Sequence, residues 1–397
     1  MTDDSGDRRE STDPHTLGIH GGGHGSREGG PVVPPIMQSA AFFGGTDGGD
    51  VSALYSRYGK NPNQLQVGAK VARLEGMEAG LALGSGMAAI TLSVLACVRS
   101  GGHVVASRHL YGITRRFLEL ELPRRGVDVT FVDPEGNDAW RDALRPETGL
   151  LYMELPTNPT LRVFDPRPVA ELARRKGIPL ALDATFASPI NFRGGEHGID
   201  LVIHSATKYL GGHTDLIAGV VCGRQELVER VRSLLSLYGP ALDPHAAWLL
   251  DRSLRTLAVR VERHNRSAEA LAHWFRGRAG VEEVIHPSLE EHPDHDVARR
   301  VLSGFGGMLG VVVEGGASGA ERFCRGLRLA APAPTLGGVE TLVAVPGLSS
   351  HATIPESERK ALGIPEGLVR ISVGLEGITD LETDFGHALE RVRSGIA

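Results

Sequence analysis

Cysteine is scarce: the 397-residue chain has three, Cys97, Cys222 and Cys324, far apart and with no C-x-x-C pair. That spacing argues against a disulfide framework and against a thiolate metal site. Long apolar runs are missing as well. No stretch approaches the roughly 18 uninterrupted apolar residues of a membrane span, and "MTDDSGDRRESTDPHTLGIHGGGHGSREGG" has no apolar segment of the signal-peptide kind. A cytoplasmic location is the expectation. Positive charge is not in excess, since the formal net charge is -6, so neither nucleic acid nor an anionic lipid surface is an indicated partner. Short basic groups such as "ARRK" read as helix surface. No repeat of solenoid period stands out. Histidine pairs do occur, in "HPDHD" (His292 and His295, with Asp296) and "HGGGH" (His20 and His24). Neither shows a third and fourth ligand, and no metal is expected.

What is present is the make-up of an ordinary globular enzyme-sized chain, 41% hydrophobic and 23% charged, with two domains the default. Residues 1–30 are polar and Gly-rich and read as a flexible arm. Residues 31–60 begin as an extended segment, "GGPVVPPIMQSAAFF". From about residue 65 short strand-like runs alternate with helical ones: a short strand opens "AGLALGSGMAAITLSVLACVRSG" before its Gly-Ser-Gly, and "HVVASR", "VDVTFVD", "LLYMELP", "IPLALDATF", "DLVIHSATK" and "AGVVCG" are the further strands. Strands alternating with helices at this spacing need crossover connections and predict a mostly parallel α/β sheet. Past residue 225 a long charged helical stretch leads to "VEEVIHP", "GGMLGVVVEGG" and "LVRISVGLEG", strands of a smaller domain. The division is expected near residue 250, giving 61–250 and 251–397.

Lys208, in "VIHSATKYLGGHTDLIAGVV", is a charge set among apolar runs and small hydroxyl residues. Asp183 ends the strand before it, at the carboxyl edge where open α/β sheets bind ligands. A buried carboxylate needs a cation or donors, and a plain salt bridge between Asp183 and Lys208 would satisfy both. Other residues expected at the same edge give them a second possible use. "GSGMAA" places Gly86 and Met87 at a strand-to-helix junction, where free backbone N–H groups can cradle a phosphate. Ser205 and Thr207 add donors, Tyr111 an aromatic face and Asn158 a carboxamide. One ligand uses a phosphate cradle, an aromatic face, a carboxamide, a carboxylate and a lysine amine together. That ligand is pyridoxal 5'-phosphate, whose aldehyde condenses with lysine and whose ring nitrogen is kept protonated by an acid.

The blocks "YSRYGKNPN", "GSGMAAI", "ELPTNPTLRVFD", "ALDATFASPINF", "HSATKYLGGHTDLIAGVV", "TLGGVETL" and "GLVRISVGLEG" together resemble the cysteine and methionine metabolism family of pyridoxal phosphate enzymes, from about residue 17 to the end. The resemblance implies the fold type I architecture: a large domain with a mostly parallel seven-stranded sheet and a smaller C-terminal α/β domain. It implies that Lys208 carries the cofactor and shuttles protons, that Asp183 pairs with the ring nitrogen, that Tyr111 stacks on the ring and that Asn158 bonds the ring hydroxyl. Gly86, Met87, Ser205 and Thr207 would hold the phosphate, with Tyr55 and Arg57 reaching in from a neighbouring subunit of a homotetramer. Residues 31–60 would then be the segment that contacts that neighbour. Arg370 would grip the substrate α-carboxylate, a task suited to its planar fork. Thr335 would steady the lysine and the substrate, with Asn158 and Tyr55 also near the substrate.

Within the family the longest similarities, among them "RHLYGITRRFLELELPRRGVDVTFVDPEG" and "APAPTLGG", are to cystathionine γ-synthases. They imply γ-replacement on an O-acyl- or O-phosphohomoserine by cysteine or another thiol. The alternatives are γ-elimination, as in a cystathionine γ-lyase or related C–S lyase, a specialised γ-substituted amino acid enzyme, and a non-catalytic cofactor-binding sensor. Four positions depart from the family pattern. Lys60 is an insertion next to the subunit-crossing loop, and Ala184 replaces an asparagine. Ile113 stands where many relatives have glycine or cysteine. Pro334 stands where many cystathionine enzymes have a glutamate facing the distal amino group of their substrate.

Overall fold

The computed structural model describes residues 11–22, 30–43, 55–349, 352 and 355–395. Its first sheet is built from β1 (Ala79–Leu83), β2 (His103–Ser107), β3 (Asp128–Val132), β4 (Thr148–Glu154), β5 (Leu180–Asp183), β6 (Leu201–Ser205) and β7 (Gly219–Gly223). The strand order is β1-β7-β6-β5-β4-β2-β3. Four of the pairings are parallel, and only β7 runs against its two neighbours. The expected mostly parallel seven-stranded sheet is the one observed.

Both faces of this sheet are covered, and the strands are accordingly apolar along their length. Side chains alternate between faces at every residue. On β4, Leu150 and Tyr152 join the cluster with helix Gly86–Cys97 and helix Gln225–Tyr238. Leu151 and Met153 join the opposite cluster with helix Arg167–Lys176. Ala181 on β5 and Leu201 and Ile203 on β6 belong to the first face. The same alternation carried to the strand ends puts Glu154, Asp183 and Ser205 on that face too, at the carboxyl edge. The N-terminus of helix Gly86–Cys97 lies there.

The second sheet contains β8 (Val281–Ile285), β9 (Met308–Val313), β10 (Ala331–Pro332), β11 (Leu342–Ala344) and β12 (Leu368–Ser372), in the order β10-β11-β12-β9-β8. Val369 and Ile371 of β12 pack with helices Leu257–Phe275 and Ile378–Ser394. Leu368 lies in the cluster shared with the first body, and Arg370, two residues on, shares its face. The division placed near residue 250 falls inside helix Pro244–Leu254.

The expected arm is not without structure. Pro14–His20 is a helix, with Asp13 capping it by accepting from Thr16 N at 2.9 Å and with Leu17 buried. Residues 1–10 and 23–29, including His24, lie outside the described residues. Among the described residues no helix is long and apolar enough to cross a membrane.

Candidate active site

The carboxyl edge of β4, β5 and β6 opens on a crevice of about 440 Å³. Gly86, Met87, Tyr111, Asn158, Asp183, Ser205, Thr207, Lys208 and Arg370 all contribute to its walls. The first sheet explains the convergence of all but Arg370, because each strand end delivers its next residues to the same edge; Arg370 comes from β12 of the second sheet.

Lys208 lies in the turn after β6, held by its own N–H on Ser205 O at 3.0 Å and by Gly212 N on Lys208 O at 2.7 Å. Its Nζ donates to Thr335 Oγ1 at 2.9 Å. The Thr335 loop can come this close because Gly337 has φ +76 and a Cβ there would sit 2.7 Å from Tyr209 N. Burial, reinforced by the Arg370 guanidinium, pulls the Lys208 ammonium down to about 8. An amine so tuned is a usable nucleophile near neutral pH. The salt bridge left open by spacing alone is not formed. Asp183 accepts instead from Thr185 N at 3.0 Å, and among the described residues no ion pair joins it to Lys208. Burial raises the Asp183 pKa, opposed by its hydrogen bonds from Thr185 and by His204.

The N-terminus of helix Gly86–Cys97 faces Ser205. Ser85 caps it, accepting from Ala88 N at 3.0 Å, which leaves earlier N–H groups of the turn for a ligand. A Cβ on Gly86 would lie 2.7 Å from Ser205 Cβ and Oγ. Thr207 is fixed by a two-way contact with Ala218, accepting from its N–H at 3.1 Å and donating to its O at 3.2 Å.

Arg370 is 3% exposed, so it is not the solvated strand-end charge its position alone would suggest. Its Nη1 donates to Asn158 Oδ1 at 3.0 Å, while its Nε is buried with no partner. Burial lowers its pKa to about 10. A buried guanidinium with a free N–H is prepared to take a carboxylate from the crevice.

Tyr55 and Arg57 do not line this crevice in their own chain. Tyr55 is 40% exposed, and the Arg57 guanidinium lies 5.3 Å from its ring centroid and 4.8 Å from that of Tyr58. Arg57 also bonds the carbonyl of Ser236. Two residues went unnoticed in the sequence. Glu154, 5% exposed, accepts from Tyr111 N at 2.6 Å and Asn158 N at 2.8 Å. Thr185 Oγ1 accepts from Ser205 N at 2.8 Å. The edge-of-strand rule that singled out Asp183 applies equally to Glu154, which ends the apolar run "LLYME".

Residues 15–390 match the sequence profile of the Cys/Met metabolism PLP-dependent enzymes. The chain belongs to this family. It is 37% identical over 388 residues to the chloroplastic cystathionine gamma-synthase 1 of Arabidopsis thaliana, covering 95% of this chain and 69% of that one. It is 39% identical over 378 residues to the cystathionine gamma-lyase of Bacillus subtilis (strain 168), covering 95% and 99%. The crystal structure of metB from Corynebacterium glutamicum superposes with a TM-score of 0.91 at 35% identity, covering 97% and 99%.

The protein is thus a PLP-dependent enzyme of transsulfuration type with the fold type I architecture, and pyridoxal phosphate is its cofactor. The crevice fits that group on its own chemistry. It offers a glycine cradle at a helix N-terminus, a buried carboxylate across from it, an aromatic side chain and a lysine amine of lowered pKa.

Proposed function

We propose that this enzyme replaces the γ-substituent of an activated homoserine, an O-acyl or O-phospho ester, with a thiol. Lys208 would hold the cofactor and afterwards move protons at the substrate α and β carbons. Asp183 would stay ionised against the ring nitrogen. Tyr111 would cover the ring, and Asn158 would bond the ring hydroxyl. Gly86, Met87, Ser205 and Thr207 would take the phosphate. Arg370 would bind the α-carboxylate through its free N–H, with Thr335 steadying the Lys208 amine between transfers. When bound, the cofactor supplies an electron sink for charge developing at the α-carbon.

The observation that carries replacement over elimination is the apolar part of the crevice lining, Ile113, Ile217, Pro334 and Leu336, which lies in the same lining as Ser349. γ-Elimination ends in hydrolysis to a 2-oxo acid and ammonia. A lining with this many apolar side chains offers few partners to ordered water and favours a soft, weakly hydrated thiol. Ile113 is 41% and Ile217 67% exposed in the single chain, apolar groups that a partner subunit would cover. We place Tyr55 and Arg57 in the neighbouring subunit's crevice, within a homotetramer made of two such dimers.

The test is product analysis with O-acyl- and O-phosphohomoserine, with and without cysteine and simpler thiols. Thioether formed faster than 2-oxobutyrate is the expected result. Faster 2-oxobutyrate formation from cystathionine than any thioether synthesis would instead make the enzyme a γ-lyase. Bound cofactor with no turnover of any γ-substituted amino acid would leave a sensor.

A further inference from the structure

Glu154 has no part in the roles set out above, yet it is among the most constrained side chains of the crevice. It ends β4 in register with Asp183 on the parallel β5. One carboxyl oxygen accepts from Tyr111 N at 2.6 Å and the other from Asn158 N at 2.8 Å. Those two N–H groups belong to different loops, one following β2 and one following β4. Asn158 in turn accepts from Arg370 Nη1 at 3.0 Å, so the contact continues to β12 of the second sheet.

We propose that Glu154 is a positioning residue, which ties the Tyr111 loop to the Asn158 loop and so sets the aromatic face and the carboxamide of the cofactor crevice as one unit. A carboxyl group places an acceptor oxygen on each of two divergent backbone N–H groups, and it keeps acceptor capacity on both oxygens in either protonation state. Burial and then the charge of Asp183 raise the Glu154 pKa well above the carboxylate range, against the pull of the two N–H donors.

Glu154→Gln keeps the size but turns one acceptor into a donor facing a backbone N–H, so one of the two links must open. The experiment measures cofactor dissociation constants of apoenzyme in four forms: unaltered, Glu154→Gln, Tyr111→Ala with Asn158→Ala, and all three together. We expect Glu154→Gln to weaken cofactor binding about 10- to 100-fold in the unaltered background and less than about twofold when the two positioned side chains are already gone. Equal losses in both backgrounds would overturn the proposal. So would an unchanged dissociation constant accompanied only by a lower melting temperature. If Glu154→Gln does not fold, Glu154→Asp, one methylene too short to reach both loops, takes its place in the same set. Failure of both to fold would assign the residue to stability alone and end the proposal. The inference uses family membership and not the identity of the incoming nucleophile. Binding measured without substrate therefore separates its failure from a failure of the γ-replacement reading.

Discussion

The lowered pKa of Lys208 has a kinetic consequence that can be measured before any substrate is added. Only a neutral amine attacks an aldehyde. At pH 8 about half of a group with pKa about 8 is neutral, against roughly 0.3% for an ordinary lysine, an advantage of about 150-fold. Burial is the larger cause and the positive charge of Arg370 the second. Arg370→Leu removes the second cause and leaves the first, so the Lys208 pKa should rise while staying below that of an exposed lysine. The assay mixes apoenzyme with cofactor at a series of pH values from 6 to 10 and follows the yellow absorbance that reports condensation with an amine. The rate constant should climb about tenfold per pH unit below 8 and level off above it. In Arg370→Leu the bend should appear at higher pH. A profile for the unaltered protein that climbs without a bend to pH 10 would refute the reasoning. So would a bend that Arg370→Leu does not move.

Gly86→Ala should keep the fold and lose cofactor, because its Cβ would fall 2.7 Å from Ser205 at the phosphate cradle; a dissociation constant raised at least about tenfold, read by fluorescence titration, is the expected outcome. Lys70 and Asp251 form a buried ion pair at 2.6 Å between helices Pro62–Glu75 and Pro244–Leu254. Lys70→Ala should cost about 3–5 kcal/mol in urea unfolding, because it strips the buried Asp251 of its nearest cation. His264 and His286 are held neutral by burial, each with a pKa lowered to about 4 from 6.5. Their folded values lie below the unfolded ones, so the stability they contribute is full above about pH 6.5 and is lost as pH falls towards 4. The loss is up to roughly 3 kcal/mol for each, seen as a falling unfolding midpoint.

Most of the site was legible because its residues occupy strand ends. Asp183, Asn158, Ser205 and Lys208 each follow an apolar run, and parallel strands deliver those positions to one edge. Arg370 was different. It sits inside "LVRIS", and local pattern alone puts it in solvent. Its burial comes from β12 facing the first body, a tertiary fact that only the resemblance anticipated. Glu154 obeyed the strand-end rule, but what it does depends on two loops about 45 residues apart meeting on one carboxyl group. The helix at Pro14–His20 was hidden by the polar residues around it. A single buried leucine, Leu17, and a capping aspartate, Asp13, are what anchor and start it.

The chain has five lysines, at positions 60, 70, 176, 208 and 360, which makes the central claim directly readable. Holoenzyme is reduced with borohydride, digested, and its peptides are weighed for the added pyridoxyl phosphate. The mass should be found on the peptide carrying Lys208 and on no other, and Lys208→Ala should abolish both the label and turnover. Label on any of the other four lysines, or colour and activity that survive Lys208→Ala, would contradict the account.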